Sequence, residues 1–416
     1  MKKSARFPRN FYWGTATSSH QIEGGTRNNW SVWEEKNAAR LAHTAHQKWS
    51  QATQERFPEM FQPENYISGR ACDHYHRYEE DLDLVRRGGQ NAFRFSLEWS
   101  RIEPEEGVFD DAALAHYRDV VRACRARGLE PFVTLWHWTH PLWLEARGGV
   151  TSRDFIPCFV RYARRVAEVF GEEVRFYMTL NEPTSVIGNA YLAGNWPPQR
   201  RNPLLAWRAL RTLGTAHCRA YDALRDVAPH AQVGFTHIYV FNEPFRKNNV
   251  LDQAAVRLKN FFDNGLMQHY GRGKQDFVAL QYYFHNRVQF PLKKRNANKV
   301  LSDLEWEVYP EGIYHAIMDA QRFGVPIYIT ESGIADAEDS RRPQFLREML
   351  AHVAHALADG ADVRGYFYWS LLDNFEWDKG FWPRFGLVAV DYDTLIRTPR
   401  ESYTVYRDLI AEYSEK

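Results

Sequence analysis

Two glutamates close short apolar runs, Glu182 in Tyr177-Met178-Thr179-Leu180-Asn181-Glu182-Pro183 and Glu331 in Ile327-Tyr328-Ile329-Thr330-Glu331-Ser332-Gly333. Runs of this length and composition read as buried strands. Burying an ionisable group costs several kcal/mol unless something compensates. Carboxylates at two strand ends therefore point to acid/base or nucleophilic work rather than to packing.

The elements that must position them repeat along the chain. Strand-like runs are predicted at Phe11 to Gln21, Asn91 to Trp99, Glu130 to Trp138, Val174 to Glu182, Gln232 to Val240, Phe277 to Phe284, Pro326 to Glu331 and Val363 to Ser370. Helical patterns lie between them, at Asp73 to Arg87, Asp111 to Arg127, Thr151 to Phe170, Ala206 to Val227, Asp252 to Tyr270, Glu311 to Phe323 and Pro343 to Ala358, with Ser402 to Tyr413 last. Several open on a capping Asp, Thr or Ser and close near Gly, as at Thr151 and Gly171. Eight β/α units in series with right-handed crossovers predict an α/β fold, a closed (β/α)8 TIM barrel forming a single domain over residues 1–416. No linker interrupts it.

Such barrels carry their active sites at the C-terminal ends of the strands. Gln21 ends the first run, His137 and Trp138 the third, Asn181 and Glu182 the fourth, Tyr283 the sixth, Glu331 the seventh and Trp369 the eighth. The fourth and seventh strands face each other across the mouth, so the two glutamates are placed to flank one bond, as glycosidic hydrolysis requires. One carboxyl must protonate the leaving oxygen and the other must stay ionised. Glu331 is the expected anion, because Arg94 on the second strand and the Tyr283 hydroxyl are placed to reach it. Glu182 is the expected acid, its pKa held up by the charge on Glu331.

Composition excludes some classes of partner. With 53 Lys+Arg against 52 Asp+Glu the formal charge is +1, so no global field draws nucleic acid or a membrane, and the carboxylate pair points instead to small-molecule glycosides or short oligosaccharides as partners. The N-terminus, Met1 to Pro8, is basic without an apolar stretch, and the expected location is cytoplasmic. Cys72, Cys124, Cys158 and Cys218 lack paired spacing and read as reduced thiols. His137 and His140 have a spacing seen in metal sites, but two carboxylates suffice for the chemistry, and neither metal nor cofactor is expected. Aromatic residues make up 15% of the chain, with 14 Trp, which suits stacking on sugar faces.

These motifs resemble family 1 glycoside hydrolases of the β-glucosidase type over nearly the whole length. Phe11-Tyr12-Trp13-Gly14-Thr15-Ala16-Thr17 with Gln21-Ile22-Glu23-Gly24, Phe93-Arg94-Phe95-Ser96, Thr179-Leu180-Asn181-Glu182-Pro183, Ile329-Thr330-Glu331-Ser332-Gly333 and Tyr368-Trp369-Ser370 through Glu376-Trp377 follow the family pattern in order. The resemblance implies β-glycosides as the partners and a retaining mechanism with Glu331 as nucleophile and Glu182 as acid/base. It also implies a sugar pocket in which Gln21, His137, Asn181, Glu376 and Trp377 bind hydroxyls, Asn181 at the 2-OH, with Trp369 as stacking platform and Trp138, Tyr283 and Phe385 completing the substrate contacts.

The Glu376-Trp377 pair favours an unphosphorylated hexoside, glucoside first with galactoside and fucoside beside it, while Lys379 and Arg384 keep a 6-phospho-β-glucoside as the alternative. A mainly transglycosylating enzyme, an inverting one and a non-catalytic glycan-binding barrel are the other readings. Gln281 where Asn is common, Ser332 after the nucleophile and Thr139-His140 after His137-Trp138 depart from the pattern, the last predicting a reshaped pocket wall. The stretch Ala38 to Gly69, weakly periodic, is expected to be a long mouth loop that alters preference for the leaving group.

Overall fold

A computed structural model describes residues 7–271 and 273–414. Most of the basic N-terminal stretch, Met1 to Arg6, lies outside the described residues. The strands are β1 (Tyr12–Ala16), β2 (Ala92–Ser96), β3 (Glu130–Trp136), β4 (Phe176–Leu180), β5 (Gln232–Gly234), β6 (Thr236–Pro244), β7 (Val278–Gln289), β8 (Lys293–Lys294), β9 (Ile327–Ser332) and β10 (Val363–Trp369). Their hydrogen-bonded order is β5-β4-β3-β2-β1-β10-β9-β7-β6, with β8 folded back on β7. Apart from the β7–β8 hairpin these pairs are parallel. The predicted fifth run divides at Phe235, its first part pairing with β4 and its second with β7, so one interrupted run bridges the two ends of the path and closes the eight-stranded barrel.

Two apolar layers hold the barrel. Val133 and Leu135 of β3 belong to the outer layer with Phe155, Phe159 and Tyr162 of the helix Phe155–Phe170. Phe132 belongs to the inner layer, stacked on Phe176 with ring centroids 4.2 Å apart and edge-on to Phe367 at 4.7 Å. Alternation along one strand thus feeds both layers. Arg94, fully buried, extends from this aromatic floor, its Nε donating to Thr134 Oγ1 at 3.2 Å.

Several boundaries differ from the sequence expectation. Gln21 does not end a strand: β1 stops at Ala16 and Gln21 sits in the one-turn helix Ser19–Ile22. Thr151 is no helix cap, since it closes a 3-10 turn, Gly149–Thr151, and the helix begins at Phe155. The helix expected over 252–270 is Val250–Asn260, then a π-helical turn Phe261–Gly265, then Leu266–Gly271. Ala38 to Gly69 is not a loop. Ala38 stands in the middle of the helix Asn29–Thr44, whose Asn28 cap and buried Trp30, Trp33, Ala38, Leu41 and Ala42 supply the periodicity, and a 3-10 turn Ala45–Gln47, a helix Gln51–Arg56 and two further 3-10 turns follow. A window opened at Ala38 cuts that pattern in half.

Candidate active site

Glu182 stands two residues beyond the end of β4, in a left-handed conformation with φ of +38°, and its N–H donates to Thr236 Oγ1 at 3.1 Å. Pro183 then starts a short helix, Pro183–Val186, where a missing N–H costs nothing. Trp138 (φ +74°) and Trp377 (φ +48°) share this uncommon backbone region. Non-glycine residues held there cost on the order of 1–3 kcal/mol each and persist where the surroundings over-determine them. Glu331 lies within β9, and Gly333 beyond it must be glycine, because an added Cβ would stand 1.9 Å from the Trp369 carbonyl oxygen.

The two carboxyls have unlike surroundings. Glu331 accepts from Arg94 Nη1 at one oxygen and from the Tyr283 hydroxyl, at 3.0 Å, at the other. Glu182 accepts from Ser185 Oγ at 2.7 Å. Burial first, and then the Glu331 charge, push Glu182 up to about 8. Burial also moves Glu331 upward, against the pull of Arg94 and Tyr283. When the pair holds a single proton it resides on Glu182, since the guanidinium and phenol both stabilise the Glu331 anion.

Around the pair, polar groups are ordered by one another. Asn181 Oδ1 accepts from Arg94 Nη2 (2.7 Å), Thr236 Oγ1 (2.7 Å) and Gln281 Nε2 (3.0 Å), while its Nδ2 lies 3.1 Å from His137 Nε2. Because an amide nitrogen can only donate, His137 Nε2 accepts and Nδ1 carries the proton. That Nδ1 is buried without a protein partner, and burial followed by Arg94 keeps the ring neutral. Gln21 Nε2 donates to Asn374 Oδ1 and the Phe375 carbonyl at 2.9 and 2.7 Å and approaches Glu376 Oε2 at 3.5 Å. Burial pushes Glu376 up to about 7 against the pull of Lys379, with Asp378 and Glu331 adding to the rise.

A cavity of about 280 Å³ brings together Gln21, His137, Trp138, Glu182, Tyr283, Glu331, Trp369, Glu376, Trp377 and Phe385. Asn181 and Arg94 stand behind this wall. Asn181, expected to meet a sugar hydroxyl, has its carbonyl oxygen taken three times and one amide hydrogen directed to His137, so it orients the site more than it faces it. The Trp138 indole N–H is given to the Asn181 carbonyl at 2.8 Å, which leaves only its ring for a ligand.

Other expectations are corrected by position. Arg384 is turned away, bonded to Asp373 and the Val390 carbonyl and stacked over Tyr392. Lys379 lines the cavity but its Nζ is paired with Asp378 at 2.6 Å. Thr139 donates to Glu98 and His140 contacts Glu145, so neither shapes the wall, and the two histidines His137 and His140 serve different partners. Gln281 likewise reaches Asn181 and not the cavity.

Sequence reasoning missed Ser185, Asn189, Trp196, Ile238, Phe284 and Trp306, all of which line the cavity. Ser185 had a signal, three residues beyond Glu182 at helical spacing. Trp306 had none, since it arrives from an irregular segment by tertiary packing against Phe284, ring centroids 4.7 Å apart.

Two carboxyls of opposed proton affinity, facing one cavity lined by hydroxyl-binding groups and rings, match the residue pattern of a known family along the entire chain. The sequence model of glycosyl hydrolase family 1 matches residues 3–293 and 272–415. The chain belongs to glycosyl hydrolase family 1. This family 1 chain is 32% identical over 459 residues to Beta-glucosidase A of Thermotoga maritima, with 97% of this chain and 98% of that protein covered. It is 30% identical over 505 residues to a Beta-galactosidase of Pyrococcus woesei, covering 97% of each. Among solved structures, the beta-glycosidase from Pyrococcus horikoshii superposes with a TM-score of 0.87 at 35% identity, over 99% of this chain and 96% of that one. The beta-glucosidase from Thermotoga maritima in complex with glucoimidazole gives 0.85 at 29% identity, over 98% and 99%. The family 1 chain is thus a glycosidase with a (β/α)8 barrel, and its relatives act on β-glycosides.

Proposed function

We propose that this protein is a retaining, exo-acting β-glycosidase, a β-glucosidase with β-galactosidase and β-fucosidase side activity, in which Glu331 is the nucleophile and Glu182 the acid/base. The observation that carries the reading is the asymmetry of the pair: Arg94 and Tyr283 donate to Glu331, while burial and the Glu331 charge hold Glu182 at about 8. A Glu331 oxygen attacks the anomeric carbon as the bond to the leaving oxygen breaks, and the Glu182 proton passes to that oxygen. Esterification removes the Glu331 charge and with it one cause of Glu182's raised pKa. Glu182 is then a carboxylate ready to take a proton from water, whose oxygen displaces Glu331 and leaves the anomeric configuration as it began.

Gln21, the Nδ1–H of His137 and Glu376 supply hydroxyl partners at the sugar end, with Trp369 and Trp377 as faces. A 6-phosphate finds no unengaged cation there, since Lys379 is held by Asp378, and Glu376 would repel it when ionised. The test is kcat/KM for aryl β-glucoside, galactoside, fucoside and glucoside 6-phosphate, together with the anomer released first, followed by NMR. The expected order puts the glucoside first and releases the β-anomer. Release of the α-anomer, or preference for the phosphorylated sugar, overturns the reading.

A further inference from the structure

The helix Val250–Asn260 and the π turn after it are amphipathic in the inverted sense. Asp252 and Asn264 are buried against the barrel, where Asp252 accepts from Arg246 and from the Phe290 N–H, and Asn264 bonds the Val240 backbone. Leu251, Leu258, Phe261 and Phe262, at i, i+7, i+10 and i+11, form the outward stripe, each about half exposed. Beside it the β7–β8 hairpin presents Phe290 and Leu292 at its tip, also about half exposed. Six large side chains in this state offer on the order of 500 Å² of apolar surface, at the upper end of what a monomer normally shows and typical of an interaction site.

Charge selects the partner. Residues 243–263 and 284–301 carry nine Lys and Arg against three Asp and Glu, a local +6 on a chain of formal charge +1. The three acids are engaged, Glu243 with Arg287, Asp252 with Arg246 and Asp263 with Lys259. Lys247, Arg257, Lys293 and Lys299 make no ion pair among the described residues. A second copy related by a two-fold axis would set this +6 field against itself. Phenylalanines and leucines flanked by unpaired lysines fit an anionic lipid surface, where rings enter the headgroup boundary and each nearby Lys or Arg adds attraction.

We infer that this face, the helix stripe and the hairpin tip together, docks the protein peripherally on anionic membrane surfaces. The strands beside this face also reach the site, β6 carrying Ile238 and β7 carrying Tyr283 and Phe284 to the cavity wall. The experiment is flotation of the full chain with phosphatidylcholine vesicles containing about 30% phosphatidylglycerol, against pure phosphatidylcholine, at low and high salt. The bound fraction is expected to fall at least fivefold on neutral vesicles, at high salt, in Phe261→Ser/Phe262→Ser and in Lys293→Glu/Lys294→Glu, with the unfolding midpoint of each variant unchanged. Absence of binding to the anionic vesicles, or binding indifferent to lipid charge or to both variants, overturns the inference. So does a concentration-dependent dimer that Phe261→Ser/Phe262→Ser abolishes without any vesicle binding, which would give this face to a second copy.

Discussion

At the scale of residues, the proposed division of labour between two glutamates rests on their neighbours, and replacing each carboxyl tests the roles. Glu182→Ala should reduce kcat/KM by about 10²- to 10⁴-fold for aglycones that need a proton on leaving, and far less for a dinitrophenolate leaving group, whose turnover falls instead through the slowed second step. Glu331→Ala should remove more than about 10⁴-fold whatever the leaving group. The reverse pattern in a leaving-group series would exchange the assignments. Because the acid must be protonated in the free enzyme, kcat/KM should fall as pH rises through about 8. Tyr283→Phe removes a donor to the Glu331 anion, so it should raise the Glu331 pKa and carry the acid limb of that profile to higher pH, leaving the alkaline limb nearly in place. The expectation that Arg94 and Tyr283 reach Glu331 was legible in the sequence, since both lie in predicted strands of one barrel, although Tyr283 stands inside β7 rather than at its end and Arg94 reaches across from β2. The extent to which Asn181 and Trp138 spend their polar atoms on each other was not, because hydrogen-bond partners are chosen by rotamer and distance.

At the scale of elements, the stretch Ala38 to Gly69 acts as a buttress. Asn65 holds the loop carrying Glu376 and Trp377, donating to the Lys379 carbonyl at 2.9 Å and accepting from Phe381 and Trp382 N–H at 2.9 and 3.0 Å. Trp382 is packed in turn by Trp49 and Phe57. Gly380, at φ +78°, is required where an added Cβ would stand 2.1 Å from the Asn65 carbonyl oxygen. Asn65→Ala leaves the Lys379 carbonyl and the Trp382 N–H unpaired, while the Phe381 N–H keeps the Asn65 carbonyl at 3.1 Å, and should cost about 1–3 kcal/mol in stability. It should raise KM for glucosides more than it lowers kcat, measured by thermal unfolding and steady-state kinetics. Strand positions were readable because apolar runs bounded by turn residues carry their own signal, whereas the split of the fifth strand at Phe235 follows from closure of the barrel.

At the scale of the whole molecule, carboxyls raised by burial make folding depend on pH. Glu182 at about 8 and Glu376 at about 7 lie above their unfolded value, so their contribution to stability is intact below the unfolded pKa and is lost as pH rises toward 7 and 8. Glu182→Gln and Glu376→Gln should therefore raise the unfolding midpoint at pH 8 and change it little near pH 4, followed by calorimetry. An equal gain at both values would show that ionisation is not the cause. A near-zero formal charge hides the unequal distribution that places +6 around one apolar face, since net charge sums over the molecule while lipid attraction decays within a Debye length.

The sequence by itself determined the alternation of strands and helices, the barrel class and the two carboxylates at opposed strand ends, because hydrophobic period and strand-end position are local properties of a chain. Only the tertiary structure decided which of the polar groups near strand ends face the cavity and which stand behind it, that Arg384 turns away, that Trp196 and Trp306 arrive to complete the wall, and that a helix wears its leucines and phenylalanines outward. Those are outcomes of tertiary packing, whether between Trp196 and Asp378 far apart in the chain or between Arg384 and Asp373 near each other in it, where direction and distance in space, not residue type, settle what each side chain meets.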